Sequence, residues 1–458
     1  MAGRLTRRLT CALAAGVVVC GGVVGAATDV SDLPLPPPVT DADYPPRDAR
    51  LEELGRLLFF DKILSGNRNI SCATCHHPMA MTGDGLSLPS GEGGRGLGVT
   101  RDCGAGDSRI RERVPRNAPH VFNLGAFEFT RMFHDGRVEA MPSHPSGFVS
   151  PAGGVLPRGL SSPLAAQAMF PVTSAAEMAG QPGENPVADA AAVGDLPRVW
   201  ALLTWRVRAV PEYVDLFKAA FVDVRRTDDI TFVHVANAIA AFEAAAWRAD
   251  GSPFDAYLRG DHTAMAPRQL EGMALFYGEL GCVDCHAGVF QTDHDFHAIG
   301  VPQIGPGKGD DPPDGRTGGR HDFGREQVTH IRIDRMKFRT PTLRNVELTG
   351  PWGHDGAYDD LETMVRHHLR PRWYLQNYDA AQMVVPSRHD LDEVDMIVMH
   401  DAASVGLIQS CIELPGRAVP DEQIELVLEF LHALTDARSL DLRRDVPRSV
   451  PSGLPMYD

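Results

Sequence analysis

A chain of 458 residues with 43% hydrophobic side chains carries enough apolar surface for two or three domain cores, which excludes wholesale disorder. Its formal charge of −16 argues against a nucleic-acid binder and leaves an acidic surface suited to a basic protein partner. The chain opens with a basic region at Arg4, Arg7 and Arg8, an apolar run from Leu9 to Val24, and a small-residue cleavage site at Val24-Gly25-Ala26. That layout predicts a signal peptide over residues 1–26 and export to the periplasm. An uncleaved membrane anchor is the alternative, because the run is short for a span.

A Pro-rich linker over residues 27–47 follows and reads as extended and mobile. Residues 51–64 place apolar side chains at helical spacing and lead into NISCATCHHP, residues 69–78. Residues 79–116 and 302–328, rich in Gly, read as long loops. Helical patterns cover 196–222, 230–247, 267–281 and 421–436. Strand signals are sparse, so the predicted fold is mainly α with long loops.

Two C-x-x-C-H motifs stand out, Cys72-Ala-Thr-Cys75-His76 and Cys282-Val-Asp-Cys285-His286. This is the pattern of covalent haem c attachment, in which two thiols take the porphyrin vinyl groups and the histidine lies beneath the iron. One chance occurrence is expected about 0.005 times at this composition, so two are not coincidence. A single four-cysteine zinc site is the competing reading. Cys103 and Cys411 are left over, and the sequence leaves their pairing open. Each motif also precedes an Arg/Asn/Pro-containing segment and a His-Asp-Gly tripeptide, at His134 and at His354. This order predicts an internal duplication: two cytochrome c-like haem domains facing each other.

The pieces LGRLLFFDKILS, SCATCH, RNAP, FHDGR, LAAQAMFPVTSAAEMAG, ANAIAAFE, GCVDCHAG and RTPTLRNVELTGPWGHDGAY resemble the bacterial di-haem cytochrome c peroxidase family, including its MauG-type branch. The resemblance runs from about residue 51 to 436. It implies an N-terminal cytochrome c domain over 48–228 with the peroxidatic haem, a C-terminal one over 229–438 with the electron-transfer haem, and a tail over 439–458.

The resemblance also implies site residues. Gln167, Pro171 and Glu177 keep the spacing of the family's distal pocket, where a carboxylate over an open iron moves a proton between the peroxide oxygens. Asn117 and the carbonyls of Thr349 and Pro351 match the family's calcium site. His368 stands where the family has the sixth ligand of haem two, with Met364 as the alternative and His367 as a neighbour. His134 replaces the family's tryptophan between the haems, as a relay or as a structural residue. No histidine lies between His77 and His120, so haem one is open unless Met79 or Met81 closes it. The implied activity is reduction of hydrogen peroxide with electrons from a small cytochrome c or copper protein. The alternatives are a MauG-type enzyme that oxidises a partner protein and a non-catalytic di-haem electron carrier. A homodimer is left open.

Overall fold

The computed structural model describes residues 33–457; the predicted signal peptide over 1–26 lies outside the described residues. The linker expectation is corrected over residues 33–46. Val39 and Tyr44 are buried in the first core, and Leu33 and Leu35 pack against the second. The Tyr44 hydroxyl donates to Asn123 Oδ1 at 2.6 Å, and the Arg248 guanidinium lies 4.1 Å from its ring centre. Proline makes this segment extended, but its apolar side chains pack, so it is a strap across both cores and not a mobile tether.

Helix α1 (Ala49–Phe60) begins at Asp48, whose carboxylate accepts from the N–H groups of Arg50 and Leu51. Helices α2 (Leu196–Arg208) and α3 (Pro211–Ala220) replace the single segment expected over 196–222. Pro211 has no N–H to continue a helix but suits the first turn of a new one. Then come α4 (Phe232–Ala246), α5 (Pro267–Tyr277), α6 (Leu361–Leu369) and α7 (Asp421–His432). The strands are short. β1 (Arg131–Met132), β2 (Val138–Ala140) and β3 (Phe148–Val149) form an antiparallel sheet, and β4 (Phe296–His297) pairs with β5 (Phe338–Arg339). The fold is mainly helical.

Two helix crossings have the same geometry. A Cβ on Gly55 of α1 would lie 1.8 Å from the Ala238 carbonyl oxygen and 2.9 Å from Phe242 Cβ on α4. A Cβ on Gly272 of α5 would lie 1.8 Å from the Leu426 carbonyl oxygen and 3.0 Å from Phe430 Cβ on α7. In each pair a glycine lets one backbone touch another, with an aromatic side chain one turn along. Gly55→Ala and Gly272→Ala are therefore expected to destabilise the protein by about 2 kcal/mol or more, since the obstacle is backbone. Gly406→Ala, in a helix with open space around it, should be neutral or gain up to about 1 kcal/mol. Denaturant unfolding of the three variants checks this contrast.

The first core gathers Leu58, Phe59, Leu203, Ile239, Phe242 and Trp247. Residues 230–249 thus pack with α1, although the sequence assigned them to the second domain. Leu442 and Val450 of the tail join the same core, and the Ser452 hydroxyl donates to Asp61 Oδ1 at 2.7 Å. The second core gathers Phe254, Met273, Phe276, Tyr277, Phe430 and Leu431. Buried Arg116 bonds Asp322 through two nitrogens, at 2.7 and 2.8 Å, and Asp135 at 2.6 Å, which ties the halves together. Among the described residues no helix is long and apolar enough to cross a membrane.

Candidate active site

The first C-x-x-C-H forms a single helical turn, Cys72–Cys75. The Ser71 N–H donates to Thr74 Oγ1 at 3.0 Å and the His76 N–H to the Cys72 carbonyl at 3.0 Å. The second forms a tighter turn, Cys282–Asp284, entered through Gly281 at φ 67°, and its His286 N–H donates to the Cys282 carbonyl at 2.9 Å. In both motifs the histidine is anchored alike. His76 Nδ1 donates to the Thr82 carbonyl at 3.1 Å, and His286 Nδ1 to the Gln291 carbonyl at 3.1 Å. A carbonyl can only accept, so each ring carries its proton on Nδ1; this leaves Nε2 of His286 as the atom a metal-ligating imidazole needs, while the His76 ring also meets the Pro119 carbonyl. Burial reinforces this by favouring the neutral ring; it pushes His286 down to about 4, with help from neighbouring His368.

His368 on α6 faces His286, with ring centres 6.2 Å apart. Two imidazoles bound through nitrogen on opposite sides of one metal, at about 2 Å each, hold their ring centres about 6 Å apart. His368 Nδ1 donates to the Met364 carbonyl at 2.9 Å, which again frees Nε2. The alternatives are otherwise engaged. Met364 packs with Val301, Ala357 and Tyr358, and His367 uses both nitrogens, toward the Tyr358 hydroxyl at 2.8 Å and the Ile299 carbonyl at 2.9 Å. Residues 282–286 with His368 fit a haem held by two histidines.

The four-cysteine zinc alternative does not fit. Among the described residues the one metal-like cluster is Cys285, Asp293 and His297, not four thiols. Cys285 belongs to the attachment motif, so a thioether there removes it from that cluster and leaves the Asp293–His297 pair, 2.8 Å apart. Burial pushes Cys72 up to about 12 and Cys282 to about 11, which keeps them as neutral thiols until they are alkylated.

On the first station, among the described residues, His76 forms no ring pair like that of His286 and His368, although His120 lies close enough for the two to interact electrostatically. Met79 is exposed at 54%, and Met81 packs on the first core. Instead the segment 163–180 comes near. Gln167 ends the helix Pro163–Gln167, Pro171 opens the next turn, and Glu177 lies in a wide π-turn, Ala175–Ala179. Such turns recur at functional sites. This one is pinned from two sides. The Glu92 N–H donates to the Ala176 carbonyl at 2.9 Å, and the Gly66 N–H to the Met178 carbonyl at 2.7 Å. Burial raises the Glu177 pKa, opposed by the charges of Arg137 and Lys308 and a hydrogen bond from Ser174. The carboxylate in turn bears electrostatically on Cys75 of the first motif.

A family model described as di-haem cytochrome c peroxidase matches residues 49–263. The methylamine utilization protein MauG of Methylorubrum extorquens is 30% identical over 374 residues, 79% of this chain and 83% of that protein. The chain belongs to the di-haem cytochrome c peroxidase family. It is also similar to cytochrome-c peroxidase IdrP1 of Denitromonas iodatirespirans, 30% identical over 441 residues, 90% of this chain and 97% of that one. A solved MauG-like protein associated with microbial copper homeostasis superposes with a TM-score of 0.55 at 25% identity, covering 92% of this chain and 98% of that one. Like its family, this di-haem peroxidase is an oxidoreductase with two haem c groups.

The two His-Asp-Gly histidines of the peroxidase converge. His134 Nε2 lies 3.3 Å from the Asn117 carbonyl, whose own N–H donates to the His354 carbonyl at 3.0 Å. His354 stacks on Phe338 with ring centres 3.7 Å apart. Burial and the charge of Arg116 push His134 down to about 3, so it is neutral. The Asn117 amide nitrogen donates to the Leu86 carbonyl at 2.9 Å, which leaves its oxygen for another partner. Asn117 touches His354 and Gly356, and among the described contacts none joins it to Thr349 or Pro351.

Two charged neighbours were missed by sequence reasoning. Glu243 on α4 is buried, acts on Cys72, and is pushed up to about 8, so it is protonated at neutral pH. Lys308, in the loop 302–328, acts on Glu177 from 131 residues away in the chain, and no local signal marks it. Cys103 and Cys411 are free thiols in separate clusters, so no disulfide joins them here.

Proposed function

We propose that this chain is a periplasmic di-haem peroxidase built from two duplicated cytochrome c halves, with a boundary near residue 250 rather than at 228. The matched Gly55 and Gly272 crossings support the duplication. Cys72, Cys75 and His76 hold haem one; Cys282, Cys285, His286 and His368 hold haem two. The carrying observation is the asymmetry of the two stations: one pairs two histidines across a haem-sized gap, and the other has a pinned carboxylate instead. When bound, the haems supply iron sites that take electrons from a small donor protein and pass them to hydrogen peroxide.

Glu177 takes the proton from the peroxide oxygen nearest the iron and returns it to the leaving oxygen. Gln167 orients the peroxide through its amide, and Pro171 shapes the pocket wall. His134, neutral at physiological pH, is a hydrogen-bonded bridge on the route between the haems. Asn117, with the carbonyls of Thr349 and Pro351, binds a calcium ion; the free Asn117 oxygen supports this. A second reading, MauG-type oxidation of a partner protein, is favoured by the histidine pair on haem two, because two histidines leave a lower potential than a methionine ligand does.

The test is to mix the ferric holoprotein with one equivalent of peroxide in a stopped-flow spectrometer. Rapid spectral conversion is expected, and an inert spectrum would support the electron-carrier alternative. The rate should also depend on pH with a definite sign. Burial places the Glu177 pKa above its ordinary 4.5, and the base must be ionised to accept a proton. The rate therefore falls on acidification through that raised value, before pH 4.5 is reached.

A further inference from the structure

A cleft of about 310 Å³ lies just beyond α6, between Arg370–Trp373 on one side and the loop carrying Gly416 and Arg417 on the other. Three guanidiniums line it, those of Arg370, Arg372 and Arg417, beside the Trp373 indole, which is 46% exposed. Residues 363–378 and 414–420 contain four arginines and no Asp or Glu, in a chain with 60 acidic side chains against 44 Lys and Arg. The flanking carboxylates are already engaged. Glu413 pairs with Lys337 at 2.6 Å, and Arg366 holds Asp421 at 2.8 Å and Glu362 at 2.7 Å.

Among the described residues none of the three lining arginines has an ion-pair partner. Arg372 donates to the Leu414 carbonyl at 3.1 Å and the Ile412 carbonyl at 3.3 Å, and the Arg370 guanidinium lies 5.2 Å from the centre of the Trp373 ring. Arg417 staples the cleft to the second haem station. Its N–H donates at 2.7 Å to the carbonyl of Leu369, the residue after His368. Its Nη1 donates at 2.7 Å to the carbonyl of Glu279, three residues before Cys282. One arginine therefore bridges the two segments that carry the haem-two residues.

We propose that this cleft docks an acidic face of the small electron-donor protein, with Trp373 as the apolar anchor and Arg370, Arg372 and Arg417 as the cationic rim. The assignment rests on the peroxidase reading above, and it names the surface and the charge of the partner. Arginine and tryptophan concentrate binding energy at interfaces, and a guanidinium sheds water more readily than an ammonium does. Opposite charges steer the donor onto this face and hold it against the segments of Cys282 and His368. The whole-chain charge of −16 suits a basic partner, but the local charge here is of the other sign.

The test measures binding between the ferric holoprotein and a ferric small cytochrome c, without peroxide. The probe is used once in its lysine-rich form and once succinylated, which makes each lysine negative. The succinylated probe should bind more tightly, with an affinity that falls as salt rises. Arg370→Glu should weaken that binding about tenfold, and Trp373→Ala by a similar factor. Both side chains are exposed, so fold and haem content should survive. Arg226→Glu, at a side chain 80% exposed in the N-terminal half, should have no effect. Tighter binding of the lysine-rich probe, or unchanged affinity in both cleft variants, would overturn the assignment. So would displacement by phosphate beyond that by sodium chloride of equal ionic strength, which would make the cleft a small-anion site. Failure of the peroxidase reading shows separately, as an inert spectrum when the parent holoprotein meets peroxide with no donor present.

Discussion

Glu177→Gln is expected to slow the reaction of the ferric holoenzyme with hydrogen peroxide by about 10²- to 10⁴-fold, the usual worth of a positioned proton-transfer group. The change keeps the size and the hydrogen-bonding oxygen but removes the basic site. It also removes the negative charge that burial disfavours and that Arg137 and Lys308 favour. Because the π-turn is pinned by Gly66 and Glu92 through backbone hydrogen bonds alone, the fold and the low-spin haem should survive. Stopped-flow mixing over a range of peroxide concentrations gives the second-order rate constant directly. A variant that reacts within a factor of a few of the parent would mean that another group carries the proton.

His368→Met is the second large effect. His286 and His368 lie 6.2 Å apart between ring centres, each anchored through Nδ1 to a backbone carbonyl. A thioether in place of the second imidazole withdraws donor strength from the iron and raises the potential of haem two. A shift of about 0.2 V, within the roughly 0.8 V that axial ligands span, is expected in a redox titration. Met364→Leu, whose side chain packs with Val301 and Tyr358, should leave that potential unchanged. The reverse pattern would make methionine the native ligand and His368 a bystander.

The attachment residues were legible in the sequence because covalent haem chemistry demands consecutive spacing: two thiols and a histidine must share one turn. The mainly helical fold followed from apolar periodicity in the same way. The family offset favoured His368 over Met364, but both lie on one helical face, and it is packing that separates them. Proline content announced that residues 33–46 are extended, yet nothing in it told that Val39 and Tyr44 would be buried. Residues 230–249 carried no mark of which core they would enter; the close contact of Ala238 with Gly55 decided it. Lys308 was hidden for the same reason, since a loop of one half brings its charge to bear on a carboxylate in the other.

The asymmetry of the two haem stations is tested most directly by the EPR spectrum of the ferric holoprotein, taken before and after one equivalent of peroxide. The account predicts one high-spin and one low-spin haem in equal amounts, with both signals lost on peroxide addition. Two low-spin haems that ignore peroxide, before and after reduction, would contradict it.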